Sequence, residues 1–233
     1  MNKTHLFLTL TLLSFFLGNA QELIDGQLNG GNRVNGLIST TPVVLNETVE
    51  GSPYINDEFL PAKISASEDN VFYVRYNAIA DQFEVKGENN KAYALNKYRR
   101  DIVVQLVGVK KTYQVFGYLD ENDNENFGYF VIINGKDSNV KLLKKEKKFF
   151  IGEKVATTSY DTPKPATYKR ANDEYYIKVG EDAAIEMPTN KKDIAKLFPK
   201  QEKNILSFIK ENKIKTKKEE DLNMLMEYIN QIS

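Results

Sequence analysis

The chain has 233 residues, with 32 Lys and Arg balanced against 32 Asp and Glu, a single His, no Cys and no Trp. That inventory excludes disulfide scaffolds, zinc fingers and cysteine nucleophiles, and once His5 is set aside with the N-terminal segment no imidazole remains for a Ser-His pair or a metal site. At 41% hydrophobic and 27% charged, the composition is that of an ordinary globular protein, and no motif in it names a reaction or implies a cofactor.

Residues 1–20 read as an export signal. Lys3 supplies the positive start, 6–17 is an apolar run, and Gly18-Asn19-Ala20 places small residues at a cleavage site. The run is about a dozen residues, short of the ~20 that a membrane-spanning helix needs, and no later stretch reaches that length. No Cys follows it, so a lipid anchor at a cleavage-site Cys is excluded. Residues 21–41, Gly- and Asn-rich and without a period, read as a flexible N-terminal arm.

From residue 42 to 188 the pattern is β-rich. Strands are expected at 43–45, 62–64, 71–76, 82–86, 102–109 and 112–119, rich in β-branched and aromatic residues and separated by Asn, Asp and Gly. The clearest alternation is at 82–86, with Phe83 and Val85 on one face and Glu84 and Lys86 on the other. A further strand at 128–133 runs into Asn134-Gly135, the strongest hairpin signal, with 139–143 as its partner. A last pair, 174–179 and 183–187, turns at Gly180-Glu181-Asp182. Strands at this spacing without helical periods predict an antiparallel meander, either a curved sheet or a partial barrel.

Residues 189–233 switch to a helical period and are expected to pack on the sheet. Asn190 caps a short helix, and Pro199 opens the next, whose apolar face carries Ile205, Leu206, Phe208 and Ile209. Thr216-Lys217-Lys218-Glu219 has the capping-box spacing. Behind it Leu222, Leu225, Met226, Ile229 and Ile232 form one stripe, a packing surface first and a partner-docking face second. The fold class is therefore α+β, an antiparallel meander followed by C-terminal helices.

Charge is uneven. Residues 21–140 carry 11 basic and 17 acidic groups, a net of −6, whereas 141–233 carry 20 and 15, a net of +5. The two parts attract each other within one fold, or the basic part faces an anionic partner such as a membrane surface. The segment 141–151, with lysines flanking apolar pairs, fits a strand protected against edge-to-edge association, with attraction to anionic lipid or polysaccharide as the functional alternative.

The run Glu50-Gly51-Ser52-Pro53-Tyr54-Ile55-Asn56-Asp57-Glu58-Phe59 resembles a signature of a family of small secreted proteins of the Bacteroidota group. The stretch from Arg75 and Tyr76 to Val85, then Tyr175-Tyr176-Ile177, Asn190-Lys191-Lys192-Asp193 and 217–222, extends the likeness over most of the chain. It implies an envelope or extracellular location and supplies no catalytic residues. Read physically, Gly51-Ser52-Pro53 is a turn that sends Tyr54 and Phe59 toward the sheet and leaves Asn56, Asp57 and Glu58 exposed. Arg75, between Tyr73 and Tyr76, has Asp81 and Glu84 as ion-pair partners and reads as a clamp on the sheet before it reads as a ligand-binding group.

Asp120, Asn122 and Asn124 have the 1-3-5 spacing of a calcium loop, but position 6 is Glu125 and position 12 is Val131, so an EF-hand is rejected in favour of a solvated hairpin tip. A carboxylate-pair glycan hydrolase has no distinguishing signature among so many acids. The leading expectation is thus a non-enzymatic protein, exported to the periplasm, cell surface or beyond, that binds a protein or other envelope component and no nucleic acid. Tyr54, Arg75, Tyr76, Leu222, Leu225, Met226 and Ile229 are its candidate contacts. The alternative is a carrier that shelters a lipid or other apolar ligand in the curved sheet.

Overall fold

A computed structural model describes residues 37–43, 49–67, 70–87, 91–156 and 162–233. The export signal, most of the N-terminal arm and most of the strand expected at 43–45 lie outside the described residues. The pleat is plainest in β3 (Val71–Asn77), where Phe72, Val74 and Tyr76 are buried while Val71 and Tyr73 face water. Period-two burial of this kind fixes the register, because a slip by one residue would put three large side chains in solvent. β3 pairs antiparallel with β2 (Leu60–Ile64) on one side and β4 (Gln82–Lys86) on the other.

The meander continues with β5 (Ala92–Leu95), β6 (Val103–Leu106), β7 (Thr112–Leu119), β8 (Glu125–Ile132) and β9 (Val140–Lys145), then β12 (Glu174–Val179) and β13 (Ile185–Glu186). With β1 (Ile38–Pro42) on β5, they make one open sheet in the order β1-β5-β4-β3-β2-β6-β7-β8-β9-β12-β13. The two intervening strands, β10 (Lys148–Ile151) and β11 (Thr167–Arg170), form a separate two-stranded sheet. The segment 141–151 is therefore two strands rather than one. The break falls at Glu146, which turns inward to accept hydrogen bonds from Lys111 and Tyr113. The hairpin after β8 is likewise looser than Asn134-Gly135 predicts. Asn134 is buried, and its side chain bonds Val140 O and Leu142 N, acting as a strand continuation rather than a two-residue turn.

The sheet is strongly curled. Phe83 on β4 and Tyr129 on β8 are five strand positions apart, roughly 24 Å along a flat sheet, yet their ring centroids lie 5.1 Å apart. Tyr76 and Tyr113 join them in one cluster of tilted and edge-to-face rings that fills the concave face. β7 and β8 serve two cores. Tyr113, Val115, Tyr129 and Val131 point into the curl, while Phe116, Phe130 and Tyr118 point the other way, onto Leu143 and Tyr176.

Beyond β9 the helices take over. α1 (Lys191–Lys196) is capped by the Asn190 side chain, which accepts from Lys192 N. α2 (Glu202–Glu211) and α3 (Glu219–Ile232) lay Ile205, Ile209, Leu222, Leu225, Met226 and Ile229 on Val140, Leu142 and Ile177. Asn230 pins α3 to the sheet, its side chain accepting from Val140 N at 2.9 Å and donating to Val140 O at 2.8 Å. The expected capping box does not form. The N-cap is Lys218, Thr216 instead donates to Thr189 O, and Asp221 accepts from Lys215 N, so side chains tie the incoming loop to α1 and to the helix's first turn.

Candidate functional site

The residues expected to touch a partner are mostly interior. Tyr54 and Tyr76 are buried, and Leu222, Leu225, Met226 and Ile229 are the core side of α3, with no exposed surface to offer. Arg75 is held as a clamp. Its guanidinium lies 3.7 Å from the Tyr54 ring centroid and 4.4 Å from that of Phe59, and it pairs with Glu84 at 2.9 Å. The Tyr54 hydroxyl donates to the same carboxylate, and burial with that carboxylate beside it pushes the phenol well above its ordinary value. Asn56, Asp57 and Glu58 stay exposed, as the turn at Gly51-Ser52-Pro53 requires.

A second polar knot ties the curl shut. Asp81, at the β3–β4 turn with φ of 49°, accepts from Tyr76 hydroxyl at 2.7 Å and from Tyr129 N at 3.0 Å, and it pairs with Lys97 at 2.6 Å and Lys145 at 3.2 Å. Burial pushes its carboxyl up, but the Lys145 and Lys97 ammonium groups and the hydrogen bonds from Lys97 and Tyr76 outweigh that and hold it below its ordinary value. Burial lowers the pKa of Lys145, with the Lys97 and Lys147 ammonium groups adding to it, and together they outweigh the raising effect of Asp81. Its ammonium also lies 4.6 Å from the Phe130 ring centroid and 4.9 Å from that of Tyr118.

Where the sheet fails to close, a cleft of about 630 Å³ opens between the β1–β5 edge and β8. Leu95 forms its floor, Phe127 one wall, and the residues connecting β5 to β6 its rim. That connection, Lys97-Tyr98-Arg99-Arg100, must span four strand positions. Its ends are tied down, with Gln114 donating to Arg100 O and Ile102 N bonding Arg99 O. Arg100 stacks on Phe127 at 3.7 Å, Lys97 is held by Asp81, and Tyr98 stands 93% exposed above the cleft. None of these was singled out from the sequence. The signal was the alternation of cations with an aromatic in 97–100, in a segment that has no hydrophobic period of its own.

A second cleft, of about 520 Å³, lies beside Tyr118, Tyr176, Lys145, Lys147 and Glu174, below the β7–β8 hairpin tip. The tip is solvated, as expected of 120–126, and its first residue closes it as an Asx turn. Asp120 accepts from the backbone N–H groups of Asn124 at 3.0 Å and Asn122 at 2.8 Å, and these bonds hold its carboxyl below its ordinary value. Lys147 pairs with Glu174 at 2.6 Å. Among the described residues no group of three or more His, Cys, Asp or Glu is placed to hold a metal ion. No helix there is long and apolar enough to cross a membrane.

The fold and the seam cleft define a class: an open, curled antiparallel meander with a helical cap and a side-on groove. Compared with protein-family models, with curated proteins and with solved structures, the chain matches none.

Proposed function

We propose that the chain is an exported, non-enzymatic envelope or surface protein that acts by binding another macromolecule, and that the seam cleft is where it binds. The observation that carries this reading is Tyr98, 93% exposed beside an apolar cleft whose wall is an Arg100–Phe127 stack. Tyr, Arg and Phe around a concave apolar floor are the side chains that dominate binding energy at protein surfaces, because they bury much area at low conformational cost. The carrier reading has no comparable support, since the concave face of the sheet is filled by the Tyr76, Phe83, Tyr113 and Tyr129 rings. Export rests on residues 1–20 alone.

The immobilised protein, exposed to envelope extract of its source organism, is expected to retain a partner that Tyr98→Ala and Arg100→Ala both lose. Met224→Ala, an exposed apolar change on α3, should keep it. Equal recovery by all three variants would remove the cleft from the account.

A further inference from the structure

β10 and β11 pair from Lys148↔Arg170 to Ile151↔Thr167, and the bridge Lys154↔Lys164 carries the ribbon outward. Cross-strand partners share a face. Phe150 and Tyr168 therefore lie together on one face, with ring centroids 5.6 Å apart, and Phe149 and Ile151 lie on the other. Neither face is covered. Phe149 is 45% exposed, Phe150 52%, Ile151 39% and Val155 65%.

The ribbon is fixed at its root. Tyr168 N bonds Glu50 O at 2.9 Å, Ala171 N bonds Lys147 O at 3.0 Å, and Lys148 Nζ donates to Ser52 O at 2.6 Å. Glu50 bridges Thr167 along the β11 edge, but no side chain of β10 or β11 belongs to a hydrophobic core cluster, and a two-stranded ribbon without such packing is marginal in water. Over 148–156 and 162–169 it carries Lys148, Lys154, Lys164 and Lys169 against one acid, Glu153, while Arg170 at its root pairs with Asp173 and Glu146. The positive surplus of the C-terminal part of the chain is thus concentrated where the apolar side chains are exposed.

A soluble polyanion would satisfy the lysines and leave the phenylalanines wet. A protein surface would cover one face of the ribbon and leave the other bare. A bilayer interface surrounds what enters it, so it takes both faces, while anionic headgroups meet the cations. We propose that the β10–β11 ribbon is a membrane-surface anchor that dips Phe149, Phe150 and Ile151 into the interface of a bilayer rich in anionic lipid. This site is separate from the seam cleft and does not rest on the function proposed for it.

The test is co-sedimentation of the full-length protein with vesicles of phosphatidylglycerol and phosphatidylcholine in equal parts, and with vesicles of phosphatidylcholine alone. Wild-type protein is expected to bind the mixed vesicles, to bind the neutral ones far less, and to be released as salt is raised. Phe149→Ser with Phe150→Ser should weaken binding by about tenfold or more, and Lys154→Glu with Lys164→Glu should weaken it comparably. These side chains lie outside every core cluster, so the thermal midpoints of both variants should match wild type; Tyr98→Ala should bind vesicles as wild type does. Wild-type protein that ignores anionic vesicles would overturn the proposal. So would full binding by the Phe149→Ser/Phe150→Ser variant, which would mean simple attraction of charge. Loss of a lipid-free oligomer in that variant would also overturn it, because a second copy would then cover the ribbon.

Discussion

At Gly128 on β8, Asp81 and Lys145 press against the backbone. A Cβ built there would stand 2.8 Å from Asp81 Oδ2 and closer still to Lys145 Nζ. Gly128→Ala should therefore cost about 1–3 kcal/mol, since the ion pair must give way to the methyl group. Asp81→Asn removes one side of a partly buried pair and leaves the Lys145 ammonium without this anion, for which about 1–3 kcal/mol is the expected loss. Because the folded-state pKa of Asp81 lies below its ordinary value, its contribution is fully present above about pH 4. It fades as pH falls through the folded pKa. Chemical denaturation at neutral pH and along the acid limb checks both points: the Asn variant should be weaker at neutral pH and lose less stability than wild type on acidification.

Among the elements, α3 and β9 form the joint between sheet and helices. Leu225→Ala should cost about 2–5 kcal/mol, as for any large-to-small change at a fully buried site. Asn230→Ala should cost about 1–3 kcal/mol by removing the acceptor of the Val140 N–H, while Val140 O keeps its bond from Asn134. What was legible in the sequence follows from how local its cause is. β4 fell at 82–86 and β12 at 174–179, as expected, although neither is buried on one face alone: Glu84 is buried between Phe83 and Val85, and Tyr176 and Ile177 are buried on opposite faces. β5 is a four-residue strand after a polar stretch. β10 and β11 have no buried face to create a pattern, so none of the three had a periodic signal. The capping-box spacing at Thr216 was real but lost to a tertiary bond, since Thr189 O lies within reach of its hydroxyl. The cleft was illegible for a deeper reason. Tyr98 and Arg100 meet Phe127 and Leu95 only because the sheet curls, and curl is a property of many strands at once.

At the scale of the whole molecule, the concave core on β7 and β8 and the helical core on β9 and β12 are joined by the opposite faces of the same strands, through the cluster of Phe116, Phe130, Leu143 and Tyr176. Residues 42–188 and 189–233 should therefore unfold as one unit. Far-ultraviolet circular dichroism, which follows the backbone, and tyrosine signals, which follow the curl, should give coincident transitions; two separated transitions would show that the helices detach on their own. Truncation at Thr216 would uncover Val140 and Leu142, so its effect on binding could not be separated from its effect on folding. The polar knots at Glu84 and Asp81 act inside this unit. They hold the curl in place, and the curl in turn sets the seam at which the cleft opens. Binding at that seam is most directly tested by a benzophenone photocrosslinking side chain placed at Tyr98, with Tyr73, 55% exposed on the convex face of β3, as the control position. Irradiation in envelope extract should give a defined adduct from position 98 and none from 73, whereas no adduct from 98, or the same adduct from both, would contradict the assignment.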